Sequence, residues 1–139
     1  VKQFEDDAVR KSEGDSVFTL AAFHPCPEEL TTDGGWYDWN INNWGTKWDV
    51  DCTESDGSQY YTGRGAGAEW VAGYSFDSAW APPLTAIEKI SAIYTRLTFT
   101  LIYAEPGNGY EGRAKFEDGI QTEDLNQEYT GDLLEREYF

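Results

Sequence analysis

Apolar positions along the chain change their period several times, and each change marks an element. Phe4, Ala8 and Val9, spaced among acids, predict a weak amphipathic helix from Val1 to Lys11 that ends near Gly14. Val17 to Phe23 sets Phe18, Leu20 and Ala22 against Val17, Thr19, Ala21 and Phe23, a run apolar on both faces that predicts an interior strand. His24-Pro25-Cys26-Pro27 breaks it, because proline donates nothing to a ladder. Glu28 to Gly35 reads as a polar connection. Tyr37, Ile41 and Trp44 then recur at helical spacing beside Trp36, Trp39 and Asn43, and Gly45 suits the left-handed residue that follows a helix end.

Past Thr46 the period becomes two. Trp48, Val50 and Cys52 alternate with Asp49, Asp51 and Thr53, which predicts a second strand. Glu54 to Gly67 reads as a long polar loop, and Ala68 to Phe76 as a half-buried strand with Trp70, Ala72, Tyr74 and Phe76 on one face. Pro82-Pro83 sets up a helix start where a missing N–H costs nothing, and Leu84, Ile87, Ile90 and Tyr94 continue it. Leu97, Phe99, Leu101 and Tyr103 form the strongest strand pattern, which ends in the turn Pro106-Gly107-Asn108-Gly109. Tyr110, Gly112, Ala114 and Phe116 oppose Glu111, Arg113, Lys115 and Glu117, a last hairpin strand expected at a sheet edge.

This order predicts an α+β chain of the ferredoxin-like split βαβ type: an antiparallel sheet, two helices (36–44 and 83–94) on one face, and an extra hairpin strand. Residues 1–119 would be that domain with its leading helix. Residues 120–139, where the pattern is lost, would be an acidic C-terminal extension, with Leu133, Leu134, Tyr138 and Phe139 able to anchor a short helix. Four of the six tryptophans fall between Trp36 and Trp48. Since each packed indole buries on the order of 200 Å², the expectation is that this cluster is the interior hub. An aromatic platform for bases or sugars would instead need exposed rings on a polar or basic face, where the sequence offers only Lys47.

Three segments carry a family resemblance: Pro25-Cys26-Pro27-Glu28-Glu29-Leu30, then Asn43-Trp44-Gly45-Thr46-Lys47-Trp48-Asp49, then Phe76-Asp77-Ser78-Ala79-Trp80-Ala81-Pro82-Pro83-Leu84. In that order they resemble the YubB-like proteins of phages and plasmids, which contain a ferredoxin-like domain. The resemblance covers about Phe18 to Gly119. It implies a fold and a mobile-element setting, with no catalytic residues to carry over. Together with Trp36 and Trp39 of the expected helix, Asn43, Trp44, Gly45, Thr46, Lys47, Trp48, Trp80, Pro82 and Pro83 are the structural motif residues. Cys26 departs from the family, which usually has a longer apolar residue there. The family also tends to have a strand before the first helix, so the expectation is a removed start or a divergent member.

Charge changes the picture most. The 139 residues hold 26 acids against 10 bases, a formal net charge of −16. Such a field repels phosphate backbones and attracts basic proteins, so direct nucleic-acid binding is disfavoured. The expected partner is a protein with a basic surface, met by Glu117, Asp118, Glu123, Asp124, Glu128, Asp132, Glu135 and Glu137. These carboxylates could imitate nucleic-acid phosphates toward a host or defence protein. No run reaches the ~20 apolar residues that span a bilayer, and Val1 to Gly14 lacks signal-peptide character, so a place in the host cytoplasm is expected.

Candidate chemistry is sparse. The single histidine, His24, gives little material for a zinc site or a triad. Gly63-Arg64-Gly65-Ala66-Gly67 lacks the lysine and Ser/Thr of a phosphate loop, and Asp49, Asp51, Glu54 and Asp56 miss the spacing of a calcium loop. No cofactor or metal is expected, and the chain reads as a binding protein rather than an enzyme. The alternatives are a single-stranded nucleic-acid binder using Trp70, Tyr74, Phe99 and Tyr103, and a small enzyme of unknown reaction.

Overall fold

The computed structural model describes residues 1–12, 16–53, 60–65, 67 and 69–133. Among these residues four helices and seven strands follow in the order α1 (Lys2–Lys11), β1 (Ser16–Phe18), α2 (Glu28–Asp33), α3 (Trp36–Asn43), β2 (Cys52–Thr53), β3 (Tyr60–Arg64), β4 (Trp70–Tyr74), α4 (Leu84–Ile93), β5 (Thr98–Glu105), β6 (Tyr110–Glu117) and β7 (Ile120–Glu128). Among the described residues all strand pairing is antiparallel, in the ladders β1-β2, β3-β4 and β5-β6-β7. Two compact units result, Val1–Ala86 and Ile87–Phe139, the division falling within α4.

In the first unit the aromatic centre is built of phenylalanines rather than tryptophans. Phe4 of α1 stacks on Phe23 with centroids 4.9 Å apart, and Phe18 of β1 meets Tyr74 at 5.2 Å and Phe76 at 5.7 Å. Glu5, also buried, accepts hydrogen bonds from the Tyr60 hydroxyl and from Trp70 Nε1, which ties α1 to the β3-β4 hairpin. Burial and the neighbouring Tyr60, Glu5 and Cys52 push the Tyr74 phenol well above its ordinary range.

Both early strands are shorter than their hydrophobic patterns. The backbone turns after Phe18: Leu20 O accepts Phe23 N at 3.1 Å and His24 N at 2.9 Å, and Thr19 Oγ1 accepts Ala22 N. Asp49 holds this turn, accepting Leu20 N at 2.7 Å, Ala21 N at 3.1 Å and its neighbour Val50 N at 2.8 Å. The N–H groups of Leu20, Ala21 and Val50, taken by this carboxylate, are not free to donate to a ladder, and β2 begins at Cys52. The expected connection at 28–35 holds the short helix α2, closed by Gly34 in the left-handed region. The expected loop at 54–67 contains β3, whose full register against β4 runs from Tyr60↔Tyr74 to Arg64↔Trp70. Neither cysteine forms a disulfide.

In the second unit β6 lies at the centre of its ladder, not at the edge expected for it, because the chain beyond Glu117 reverses and pairs as β7. The reversal is a two-residue turn, Asp118 at φ 51° and Gly119 at φ 77°, the combination a tight hairpin requires. Gly119 N donates to Ser91 Oγ of α4 at 3.0 Å. The stretch expected to be a patternless acidic tail is therefore a strand as far as Glu128, and the expected boundary at 119/120 falls inside a hairpin. Leu133 is buried; Leu134, Tyr138 and Phe139 lie outside the described residues.

Candidate functional site

The helix α3 and the segment after it bring two distant motifs together. Trp44 N donates to Asn40 O at 2.7 Å, Gly45 takes a φ of 84° as its position demands, and the chain then runs alongside residues 79–86. Thr46 Oγ1 donates to Ala79 O at 2.6 Å, Lys47 N reaches the same oxygen at 3.4 Å, and Ala86 N donates to Trp44 O at 3.2 Å. Pro83 is fully buried beside the start of α4. Thus the backbones that carry Lys47-Trp48 and Trp80 are fastened to each other.

Only one indole of the expected hub is interior. Trp44 is 4% exposed and donates through Nε1 to His24 O at 2.8 Å, with Trp39 edge-on at 5.5 Å. Trp36 and Trp39 are half-buried, and Asn43 caps back onto Trp39 O at 2.9 Å. By contrast Trp48 is 54% and Trp80 64% exposed, with Tyr37 at 38%. The expectation of a sealed tryptophan cluster is corrected accordingly: Phe4 and Phe18 are buried beside Val17, Leu20 and Val50, and of the four indoles only Trp44 joins the buried residues.

Those outer rings converge on one cation. Lys47 Nζ sits 4.7 Å from the centroid of Trp48 and 4.4 Å from that of Trp80, while the Tyr37 ring meets Trp80 edge to face at 5.8 Å. Trp80 itself has a φ of 74°, a conformation that costs an L-residue with a Cβ about 1–2 kcal/mol. Nearby, Asn40 is buried; its Nδ2 donates to Lys47 O at 2.9 Å while its Oδ1 has no partner. Asp38 and Asp77, on the segments that carry Tyr37 and Trp80, are exposed. Residue types alone gave no signal for this exposure or for the role of Tyr37.

The expected acidic surface is less uniform than its composition. Glu117 accepts Thr98 Oγ1, and Asp118 is a turn residue. Glu123 is neutralised by Arg113, 2.6 Å away, and by Lys115 at 3.5 Å; the Arg113 hydrogen bond above all holds its carboxyl below the ordinary range. Strand alternation puts Asp124 and Glu128 on the opposite face, where both are exposed, as is Asp132. Glu135 and Glu137 lie outside the described residues. Glu111 is buried at 1% exposure: burial pushes its carboxyl up, but hydrogen bonds from Thr130, Gln127 and Gly131 outweigh this and hold it low. Burial raises Asp49 despite its three backbone donors.

The four sheet aromatics do not share one ladder. Trp70 and Tyr74 are in β4, Phe99 and Tyr103 in β5. No group of three or more His, Cys, Asp or Glu side chains suited to a metal is gathered among the described residues. Nor is any helix among them long and apolar enough to cross a membrane.

The model of the family described as "Ferredoxin-like domain in Api92-like protein" matches residues 43–138. The crystal structure of a protein Api92 from Yersinia pseudotuberculosis is similar, with a TM-score of 0.54 at 19% sequence identity over 80% of this chain. The chain spans 39% of the length of that protein. No curated protein matches the sequence. The ferredoxin-like α+β class expected from the order of elements is shown by these matches. They speak for Api92-like proteins and carry no sign of a YubB-like, phage or plasmid origin.

Proposed function

Because the chain belongs to the family of ferredoxin-like domains in Api92-like proteins, and a fold of this kind carries no activity by itself, we propose a role read from the site. The protein is a non-enzymatic binding module that recognises a protein with a basic surface. The resemblance of its three motif segments to phage and plasmid proteins is what supports adding to this reading an accessory role on a mobile element, in the host cytoplasm.

The observation that carries this reading is Trp80. A large apolar side chain is displayed to solvent at 64% exposure, on a backbone conformation that costs free energy, beside Trp48, which is also exposed. Strain of this kind collects where a side chain must be aimed, and exposed tryptophan and tyrosine are typical centres of protein contact. The net charge of −16 supplies the other half, since it steers a basic partner inward and repels nucleic acid. A finer reading, that the carboxylates stand in for phosphates before a nucleic-acid-binding protein, is supported by this charge and by the exposed Asp124, Glu128 and Asp132. It is weakened by Glu123, whose charge is already matched.

A photo-crosslinking residue in place of Trp80 tests the proposal in cell lysate, with the same residue in place of the equally exposed Ile93 as comparison. The expected result is a cross-link to a basic protein from position 80, diminished by added salt. Equal labelling from both positions, or an acidic partner, contradicts it.

A further inference from the structure

We infer that Trp48 and Trp80 form a clamp for a cationic side chain, that Lys47 fills it in the free protein as an internal stand-in, and that an arginine of the partner displaces Lys47 on binding. The inference rests on the proposed recognition of a basic protein and names the group that is recognised.

The geometry already contains a bound cation. An ammonium within about 6 Å of an indole centroid is attracted by the ring face, and Lys47 Nζ meets that condition twice, at 4.7 and 4.4 Å. Lys47 takes part in no ion pair among the described residues, so the rings are what hold it. The backbones beneath the two rings are joined without the Lys47 side chain. Thr46 Oγ1 and Lys47 N both bind Ala79 O, which fixes the two backbones, and Tyr37 supports the Trp80 ring at its edge. When the lysine side chain leaves, the backbones that carry both indoles stay joined, and Trp80 keeps its contact with Tyr37.

Arginine is the fitting replacement. Its guanidinium is planar and more weakly hydrated than an ammonium, so it gives up less on leaving water and stacks more completely on an indole. The released Lys47 has a flexible stem and returns to solvent, where exposed Asp38 and Asp77 on the same segments attract an incoming base. The protein's charge of −16 favours a cation over a phosphate at every stage of approach.

A hexa-arginine peptide, titrated calorimetrically into the full chain, supplies the test. Lys47→Met takes the competing ammonium out of the clamp and should tighten binding roughly 3-fold to 10-fold, in line with the strength of cation–π contacts. Lys2→Met makes the same charge change on α1, where the side chain is 83% exposed, and should give a much smaller gain. Lys47→Arg leaves the charge unchanged but fills the clamp better, so it should weaken peptide binding. Trp80→Ala should weaken binding and abolish the gain from Lys47→Met. The inference is overturned if Lys47→Met binds no more tightly than Lys2→Met, or if Lys47→Arg binds as well as the parent. Trp80-dependent binding of hexathymidine without binding of hexa-arginine would also overturn it, and would assign the rings to base stacking. A cross-link from position 80 to a basic protein that persists alongside a failed Lys47 series would remove the clamp and leave the recognition proposal standing.

Discussion

Lys47 Nζ lies 4.4 Å from the centre of the Trp80 ring, and the backbone beneath that ring is left-handed at φ 74°. Glycine adopts this region freely, whereas any side chain with a Cβ is strained there. Trp80→Gly should therefore be more stable than Trp80→Ala by about 1 kcal/mol, although glycine ordinarily loses to alanine through its flexible unfolded state. Urea unfolding of the two variants checks this. Equal stability, or a more stable alanine variant, would mean that the ring is not presented on a strained backbone.

Gly112 of β6 lies beneath the Tyr103 ring. A Cβ there would come 2.3 Å from Tyr103 side-chain atoms and 2.5 Å from Leu125 O, a backbone atom that cannot step aside. Gly112→Ala should destabilise the protein by about 1–3 kcal/mol, the usual range for overpacking. Tyr103→Ala in the same chain should recover only part of the loss, because the Leu125 contact remains. Thermal unfolding of the single and double variants measures both effects.

The Asp118-Gly119 turn decides whether β7 exists. Gly119 has a φ of 77°, and an added Cβ would meet the Ala92 Cβ at 3.1 Å. Gly119→Ala should cost about 1–2 kcal/mol and speed amide exchange along β7 more than along the β3-β4 hairpin. Unchanged exchange in β7 would show that the strand is held by something other than its turn.

Glu111 should govern part of the acid limb of stability. Its folded carboxyl is held below the ordinary glutamate value of 4.5, so the folded state binds fewer protons than the unfolded state as pH falls past that value. The stabilisation is then complete above pH 4.5 and is lost as pH falls through the lower, folded value. Glu123, lowered chiefly by Arg113, adds in the same direction. Glu111→Gln should be less stable than the parent at neutral pH, and the gap should narrow in acid. Urea midpoints across that range would record it; a constant gap would contradict it.

Much of the architecture was readable from periodicity because local and tertiary demands agree there. The spacing of Tyr37, Ile41 and Trp44 matches α3, Pro82-Pro83 precedes α4 directly, and the alternation from Leu97 and from Tyr110 matches β5 and β6. Where the reading differs, a side chain has redirected the backbone. Asp49 caps the turn at Leu20 and Ala21 and so shortens both early strands. For β3, Tyr60-Tyr61-Thr62-Gly63-Arg64 offers no apolar alternation, since its position comes from pairing with β4 rather than from a buried face. For β7 a signal was present: Asp118-Gly119 is a strong hairpin dipeptide, outweighed in the reading by the acids that follow.

The site was legible only in its parts. Motif residues Thr46, Lys47 and Trp80 were identifiable, but not that Ala79 O would join the two segments or that φ at Trp80 would be positive. Nor does an indole's identity reveal its burial. Phe4 and Phe18 are buried, with the half-buried Phe23 packed against both, whereas Trp48 and Trp80 lie at the surface.

Binding kinetics of the cross-linked partner, once purified, test most directly whether the indole pair or the acidic strand is the recognition surface. Buried contacts act on dissociation and peripheral charges on association. Trp48→Ala/Trp80→Ala should raise the dissociation rate at least about 10-fold, while Asp124→Asn/Glu128→Gln should lower mainly the association rate and its salt dependence. Abolished binding in the acid variant, with unaltered dissociation in the tryptophan variant, would contradict a recognition surface centred on Lys47 and its two rings.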